Sequence, residues 1–292
     1  MNPIIFEYPS KTELGTRIKE KFHAEEGKLI EHSFPDGESY LRILSSVEGR
    51  EVFVISSLFH PNPWILNLLF LAHALREQKS KKVTLIAPYL SYMRQDKVFN
   101  PGETLTSKAF ASLISEAFDA LITVDPHLHR YKNLREIYTI PTHAIQAAPL
   151  ISKWIHQHVE RPFIIGPDSE SAQWVRQIAK AIPYIVLSKV RNKEGKVQIT
   201  WPAIPSLQNY NIVLVDDIIS SGGTMIMTVD HLNKLKITPQ TCITIHPIFA
   251  GNSYERLKDA GIKDVISCNS IPHISNDIDL SEIIVQGLSI LS

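Results

Sequence analysis

Asn211-Ile-Val-Leu-Val-Asp-Asp-Ile-Ile-Ser-Ser-Gly-Gly-Thr-Met225 sets the reading of the whole chain. The apolar run Asn211–Val215 reads as a buried strand, two acids stand at its end, a small-residue turn follows, and Ile226, Val229 and Leu232 then repeat at helical spacing. Gly222 and Gly223 allow the backbone to come close to a ligand. The open N–H groups of a helix start, with the hydroxyls of Ser220, Ser221 and Thr224, can surround a phosphate dianion. Asp216 and Asp217 suit a different partner, because carboxylates accept hydrogen bonds from sugar hydroxyls or hold a metal ion. The plainer alternative is a pair of solvated acids and a helix cap. A Walker loop is excluded, since no lysine occurs between Ile212 and Asn233.

Outward from this unit, short apolar runs alternate with amphipathic stretches. The runs are Glu51–Ser57, Val83–Tyr89 and Ala120–Asp125, then Pro162–Gly166, Tyr184–Val190, Thr241–Phe249 and Asp264–Cys268. Leu105, Ala109, Leu113 and Ala117 are read as one core-facing helical stripe, and Val175, Ile178, Ala179 and Ile182 as another. This alternation predicts an α/β chain of mainly parallel sheets flanked by helices. Its length of 292 residues leaves room for two domains. The two halves rhyme in strand and helix order around a proline-marked stretch, so a boundary is placed between residues 143 and 144, giving domains 1–143 and 144–292. The last helix is free to pack back on the first domain. Ligands in such sheets gather beyond the carboxyl ends of the strands.

Composition removes several classes of function. Lys+Arg and Asp+Glu both number 30, so no bulk positive field draws nucleic acid or an anionic membrane. Trp64–Leu75 is far short of a bilayer span and reads as a buried helix. The first ten residues carry no secretory pattern, and Cys242 and Cys268 form no metal or disulfide motif. A cytoplasmic protein is expected.

Five further motifs fall beside these apolar runs. Phe34-Pro-Asp-Gly-Glu38 is in isolation a turn between strands, and Arg94-Gln-Asp-Lys97 a solvated loop. Asp125-Pro-His-Leu-His129 ends a strand, as does Gly166-Pro-Asp168, where Ser169 and Ser171 read as helix caps ahead of Val175. Lys189-Val-Arg191 follows the expected strand Tyr184–Ser188 and opens a polar stretch, Asn192-Lys-Glu-Gly-Lys196, that suits either a lid or an exposed basic hairpin.

Taken in order, these motifs resemble the phosphoribosyl diphosphate (PRPP) synthetases, or ribose-phosphate diphosphokinases. Asn100-Pro-Gly-Glu103 is similar to the compact archaeal form. The resemblance implies two phosphoribosyltransferase-like domains and transfer of the diphosphoryl group of ATP to ribose 5-phosphate, giving PRPP and AMP. It further implies that Ser220, Ser221, Gly222, Gly223 and Thr224 hold the 5-phosphate while Asp216 and Asp217 hold the ribose hydroxyls. Phe34, Asp36, Gly37, Glu38, Arg94, Gln95, Asp96 and His127 would contact ATP. His127 and Asp168 would be ligands of Mg2+, and Lys189 with Arg191 would cover the transferred group. In the family the Phe34-type loop comes from a neighbouring subunit, so a homo-oligomer is expected. Many members carry aspartate where this chain has Ser220, and Ser169-Glu170-Ser171 replaces glycines common there.

Three competing readings are open at this level. A salvage phosphoribosyltransferase shares the sugar-phosphate loop, and a catalytically silent relative would bind nucleotide without turnover. A metal-dependent hydrolase built on His127 and His129 is the third, though its His-x-His would belong near the first strand of a barrel.

Overall fold

The computed structural model describes residues 2–98, 100–191, 197–200 and 207–291, with the backbone alone at 170, 189–191, 197–200 and 291. The chain forms two compact units, Met1–Ile145 joined by Ser281–Ser292, and Gln146–Leu280.

The first unit runs β1 (Ile4–Glu7), α1 (Glu13–Lys21), β2 (Glu25–Glu26), β3 (Leu29–Ser33), β4 (Ser39–Ile43), β5 (Glu51–Ile55), α2 (Ile65–Glu77), β6 (Lys82–Ala87), α3 (Thr106–Ala117), β7 (Ala120–Val124) and β8 (Thr142–Ile145). Six strands form a parallel sheet in the order β2-β1-β5-β6-β7-β8, and β3 and β4 make a separate antiparallel hairpin. β7 is buried along its whole length and β5 from Val52 to Ile55, as expected for strands covered on both faces. The C-terminal helix, Ser281–Leu291, packs on α1, β7 and β8 within this unit.

The second unit runs α4 (Ala148–His158), β9 (Pro162–Gly166), α5 (Ala172–Ala179), β10 (Tyr184–Val186), β11 (Ser188–Arg191), β12 (Val197–Thr200), β13 (Asn211–Ile219), α6 (Gly223–Lys234), β14 (Thr241–Pro247), α7 (Ser253–Asp259), β15 (Asp264–Cys268) and β16 (Asn276–Ile278). Its parallel sheet has the order β10-β9-β13-β14-β15-β16, with β11 and β12 as the separate hairpin. Strand for strand this is the topology of the first unit. Each sheet begins with an edge strand and its neighbour, sends out a hairpin, and then adds four strands in sequence. The expected α/β architecture of two parallel sheets with helices is therefore present.

Several local expectations give way. On α3 the buried positions are Ser107, Phe110, Ala111 and Ile114, while Leu113 is 48% exposed. A strict four-residue repeat drifts about 40° around a helix at each step, so Leu105, Ala109, Leu113 and Ala117 cannot share one face, and the bulkier Phe110 and Ile114 take the core. α2 buries only Leu68, Leu71, Ala72 and Leu75, leaving Leu66 and Phe70 exposed. The apolar run Tyr184–Val190 is divided between β10 and β11, which belong to different sheets. Lys189 and Arg191 thus lie in a strand, opposite Ile199 and Val197, instead of opening a loop. Residues 192–196, read as a lid, lie outside the described residues. Among the described residues no helix is long and apolar enough to cross a membrane.

Candidate functional site

β13 is a central strand of the second sheet, hydrogen-bonded to β9 on one side and β14 on the other. It extends to Ile219, so Asp216 and Asp217 lie inside the strand, with Asp216 opposite Thr244. A strand interior is a costly place for acids, and backbone donors partly answer the cost. Asp216 Oδ1 accepts from the Asp217 N–H at 3.1 Å, and Asp217 Oδ1 from the Ile218 N–H at 2.8 Å. The Thr244 hydroxyl donates to the Asp217 carbonyl at 3.1 Å. Burial, then the neighbouring charges of Asp217 and Asp168, hold the Asp216 carboxyl well above its ordinary range.

The chain leaves β13 through Ser220 and Ser221 and enters α6 at Gly222, whose φ of +70° is left-handed and favours glycine. Gly222, the residue at this helix start, has no side chain to cap it, and the first N–H groups of a helix have no acceptor within it. Such a terminus attracts an anion. The Ser220 carbonyl accepts from the Ala250 N–H at 3.0 Å and the Ser253 hydroxyl at 2.9 Å.

Asp168 is buried in the turn between β9 and α5. Its Oδ1 accepts from the Ser171 N–H at 3.3 Å, and the Ser171 hydroxyl donates to the Asp168 carbonyl at 2.6 Å. Ser171 therefore does not cap α5 with its side chain, contrary to the sequence reading, because that hydroxyl is committed to the turn. Gly166 makes the turn possible. A Cβ there would lie 2.4 Å from Ser171 Oγ and 2.8 Å from Val175 Cγ2. Gly166→Ala is expected to destabilise the protein by about 1–3 kcal/mol and displace Asp168, read as a lower Tm. An unchanged Tm would contradict this packing.

In the first unit, Phe34 to Glu38 form the tip of the β3–β4 hairpin. The Phe34 N–H donates to the Glu38 carbonyl at 2.7 Å, and the Gly37 N–H to the Phe34 carbonyl at 2.9 Å, with Gly37 at a φ of +90°. Asp36 Oδ1 accepts from the Glu38 N–H at 3.1 Å. Phe34 is 45% exposed, beside His32 and Tyr40, which stack with ring centres 4.4 Å apart. The hairpin is tied down by Glu31, which accepts from the Tyr8 hydroxyl at 2.8 Å and the Asn67 amide at 2.5 Å.

Beyond β6, Arg94 is exposed, whereas Gln95 accepts from the Thr106 hydroxyl at 3.1 Å and buried Asp96 pairs with Arg130 at 3.3 Å. That pair joins the loop after β6 to the loop after β7, where His127 and His129 stand. Their ring nitrogens Nδ1 and Nε2 are 3.1 Å apart, so one carries the hydrogen and the other accepts. Asp125, at the turn into this loop, is buried with φ +34°.

The structure thus brings Asp168, Asp216, Asp217 and the 220–224 turn together in the second unit, and Gln95, Asp96, His127 and Arg130 into neighbouring loops of the first. Sequence reasoning missed Arg130, Thr244 and Ser253. Each acts through a partner distant in the chain, and none carries a local motif.

The profile of the N-terminal domain of ribose phosphate pyrophosphokinase matches residues 3–117, and that of the phosphoribosyl transferase domain matches residues 133–282. The ribose-phosphate pyrophosphokinase of Saccharolobus solfataricus is 34% identical over 273 residues, covering 89% of this chain and 91% of that protein. That of Sulfolobus acidocaldarius is 33% identical over 268 residues, with coverage of 89% and 91%. In fold the chain is similar to the crystal structure of phosphoribosylpyrophosphate synthetase from Mycobacterium smegmatis, with a TM-score of 0.86 and 22% identity over 100% of this chain and 99% of that one.

Proposed function

The chain belongs to the ribose-phosphate pyrophosphokinase family, and from that premise we propose that it moves the β,γ-diphosphoryl group of ATP to the C1 hydroxyl of ribose 5-phosphate, releasing AMP. The observation that carries this reading is the β13–α6 connection. A left-handed Gly222 opens an uncapped helix immediately after two strand-borne acids, which pairs phosphate donors with hydroxyl acceptors. A phosphorylated sugar asks for both.

In this reading Ser220 to Thr224 bind the 5-phosphate, and Asp216 and Asp217 orient the ribose hydroxyls. The attacking C1 oxygen is thereby held in line with the β-phosphorus. Alignment of this kind accounts for much of the rate in phosphoryl transfer, which needs little covalent help from the protein. Phe34 stacks on adenine, Asp36, Gly37 and Glu38 line its polar edge, and Arg94, Gln95 and Asp96 receive the nucleotide with His127. The exposed hairpin tip suits a site completed between subunits of a homo-oligomer. Lys189 and Arg191 neutralise charge on the transferred group.

Mg2+ is the implied metal, and the donors fit it. Asp168, Asp216 and Asp217 form a set of hard carboxylate oxygens; burial first, and then the charges of Asp217 and Asp168, hold Asp216 above its ordinary range, and a divalent cation relieves the charge part of that condition. His127 is carried as a contact to the ATP phosphates or their metal. When bound, Mg2+ would polarise the ATP phosphoryl oxygens and offset their charge. The two buried cysteines suit a reducing cytoplasm.

AMP release, assayed with ATP alone and with ATP plus ribose 5-phosphate, tests the assignment. AMP is expected only when both substrates are present. Consumption of PRPP with a purine or pyrimidine base, and no AMP from ATP, would identify a salvage phosphoribosyltransferase instead.

A further inference from the structure

We infer that Ser253 is a positioning residue for the sugar-phosphate loop, acting as a latch that fixes the direction of its first peptide plane. The inference rests on the sugar-phosphate reading of residues 220–224. Ser253 is 1% exposed and stands at the first position of α7, one residue past the N-cap Asn252. Its hydroxyl donates to the Ser220 carbonyl at 2.9 Å, which also accepts from the Ala250 N–H at 3.0 Å.

Two donors on one carbonyl oxygen occupy both of its lone-pair directions. The peptide between Ser220 and Ser221 is then pinned, and because a trans peptide points its N–H opposite to its C=O, the Ser221 N–H is turned away from α7. That N–H is the first of the loop's anion-facing donors. The next residue, Gly222, is the left-handed one, and a Cβ on it would meet the Ser253 Cβ at 3.4 Å, so the same serine also packs against the turn. In the first unit the strand-end bond runs the other way, from the Leu58 N–H after β5 to the Tyr89 carbonyl after β6 at 2.9 Å, on a connection that carries prolines at 61 and 63 in place of glycines.

Titration of ribose 5-phosphate and, separately, of ATP into wild-type protein, Ser253→Ala and Ser253→Thr tests the latch, with steady-state kinetics and Tm measured alongside. Ser253→Ala is expected to weaken ribose 5-phosphate binding and raise its KM by roughly 3- to 10-fold, the scale of one net hydrogen bond. ATP affinity and kcat at saturation stay within about twofold. Ser253→Thr, which keeps the hydroxyl, restores the affinity for ribose 5-phosphate. Equal ribose 5-phosphate affinity in Ser253→Ala and wild type overturns the latch, as does equal weakening towards both ligands, which is the mark of a merely structural residue. Wild-type protein that binds ATP but no ribose 5-phosphate overturns the sugar-phosphate reading itself, and with it the latch.

Discussion

Lys189→Ala and Arg191→Ala are each expected to lower turnover by about a hundred- to a thousand-fold while ATP still binds, the scale seen when one preorganised charge partner of a transition state is removed. Negative charge moves during the transfer, on the oxygens of the β-phosphoryl group and on the oxygen departing with AMP. A cation that meets this charge only as it develops raises kcat and leaves ground-state binding nearly alone. The two positions are two residues apart along β11, which pairs with β12 in a hairpin separate from the main sheet. The proposed nucleotide contacts lie on other elements, which is why ATP affinity should survive. Lysine supplies a compact point charge and arginine a planar fork, so Arg191→Lys should recover only part of the loss. Calorimetric ATP affinity beside kcat from AMP release separates the two effects. Near wild-type kcat in both alanine variants would remove the pair from the chemistry.

The elements that sequence reading reached share one property: their signal is local. The run 211–225 announces strand, acids, turn and helix within fifteen consecutive residues. Buried strands such as β7 and β9 are continuous apolar runs that need no partner to be seen. The hairpin strands are different. β3, Leu29-Ile-Glu-His-Ser33, is exposed beyond its first residue, so the two-residue alternation that marks a half-buried strand is missing. The run through Tyr184 and Val190 carried no hint that its two halves join different sheets, because the change of partner is made by strands distant in sequence. The site shows the same division. The turn at 220–224 was legible, but the closeness of Asp168 to Asp216 and the grip of Ser253 on Ser220 are products of parallel strands laid side by side. No spacing along the chain encodes them.

That crowding of carboxylates leads to the second large effect, in which activity and stability move in opposite directions. Asp216→Asn should abolish most turnover, since an amide presents a weaker acceptor to a ribose hydroxyl and a poorer ligand to a cation, yet it should stabilise the ligand-free protein, read as a higher Tm. The sign follows from proton uptake. The unfolded chain ionises near the ordinary value of 3.8, whereas burial and the charges of Asp217 and Asp168 make the native carboxyl keep its proton to higher pH. Between those two values the native state binds more protons than the unfolded state, so stability falls as pH rises, and above the native value the whole penalty is in force. Asparagine has no such proton to lose. Its advantage over the wild type should therefore grow as pH rises through the range in which the native carboxyl gives up its proton, and shrink as pH falls towards 3.8. Melting curves of the two proteins in chelator, taken across that range, make the comparison. A variant no more stable than wild type at neutral pH, or an advantage indifferent to pH, would mean that the carboxyl sits comfortably in its strand. Adding Mg2+ with ribose 5-phosphate should narrow the gap from the other side, because ligands that bind only the folded wild type stabilise it by mass action and Asp216→Asn has lost part of their site.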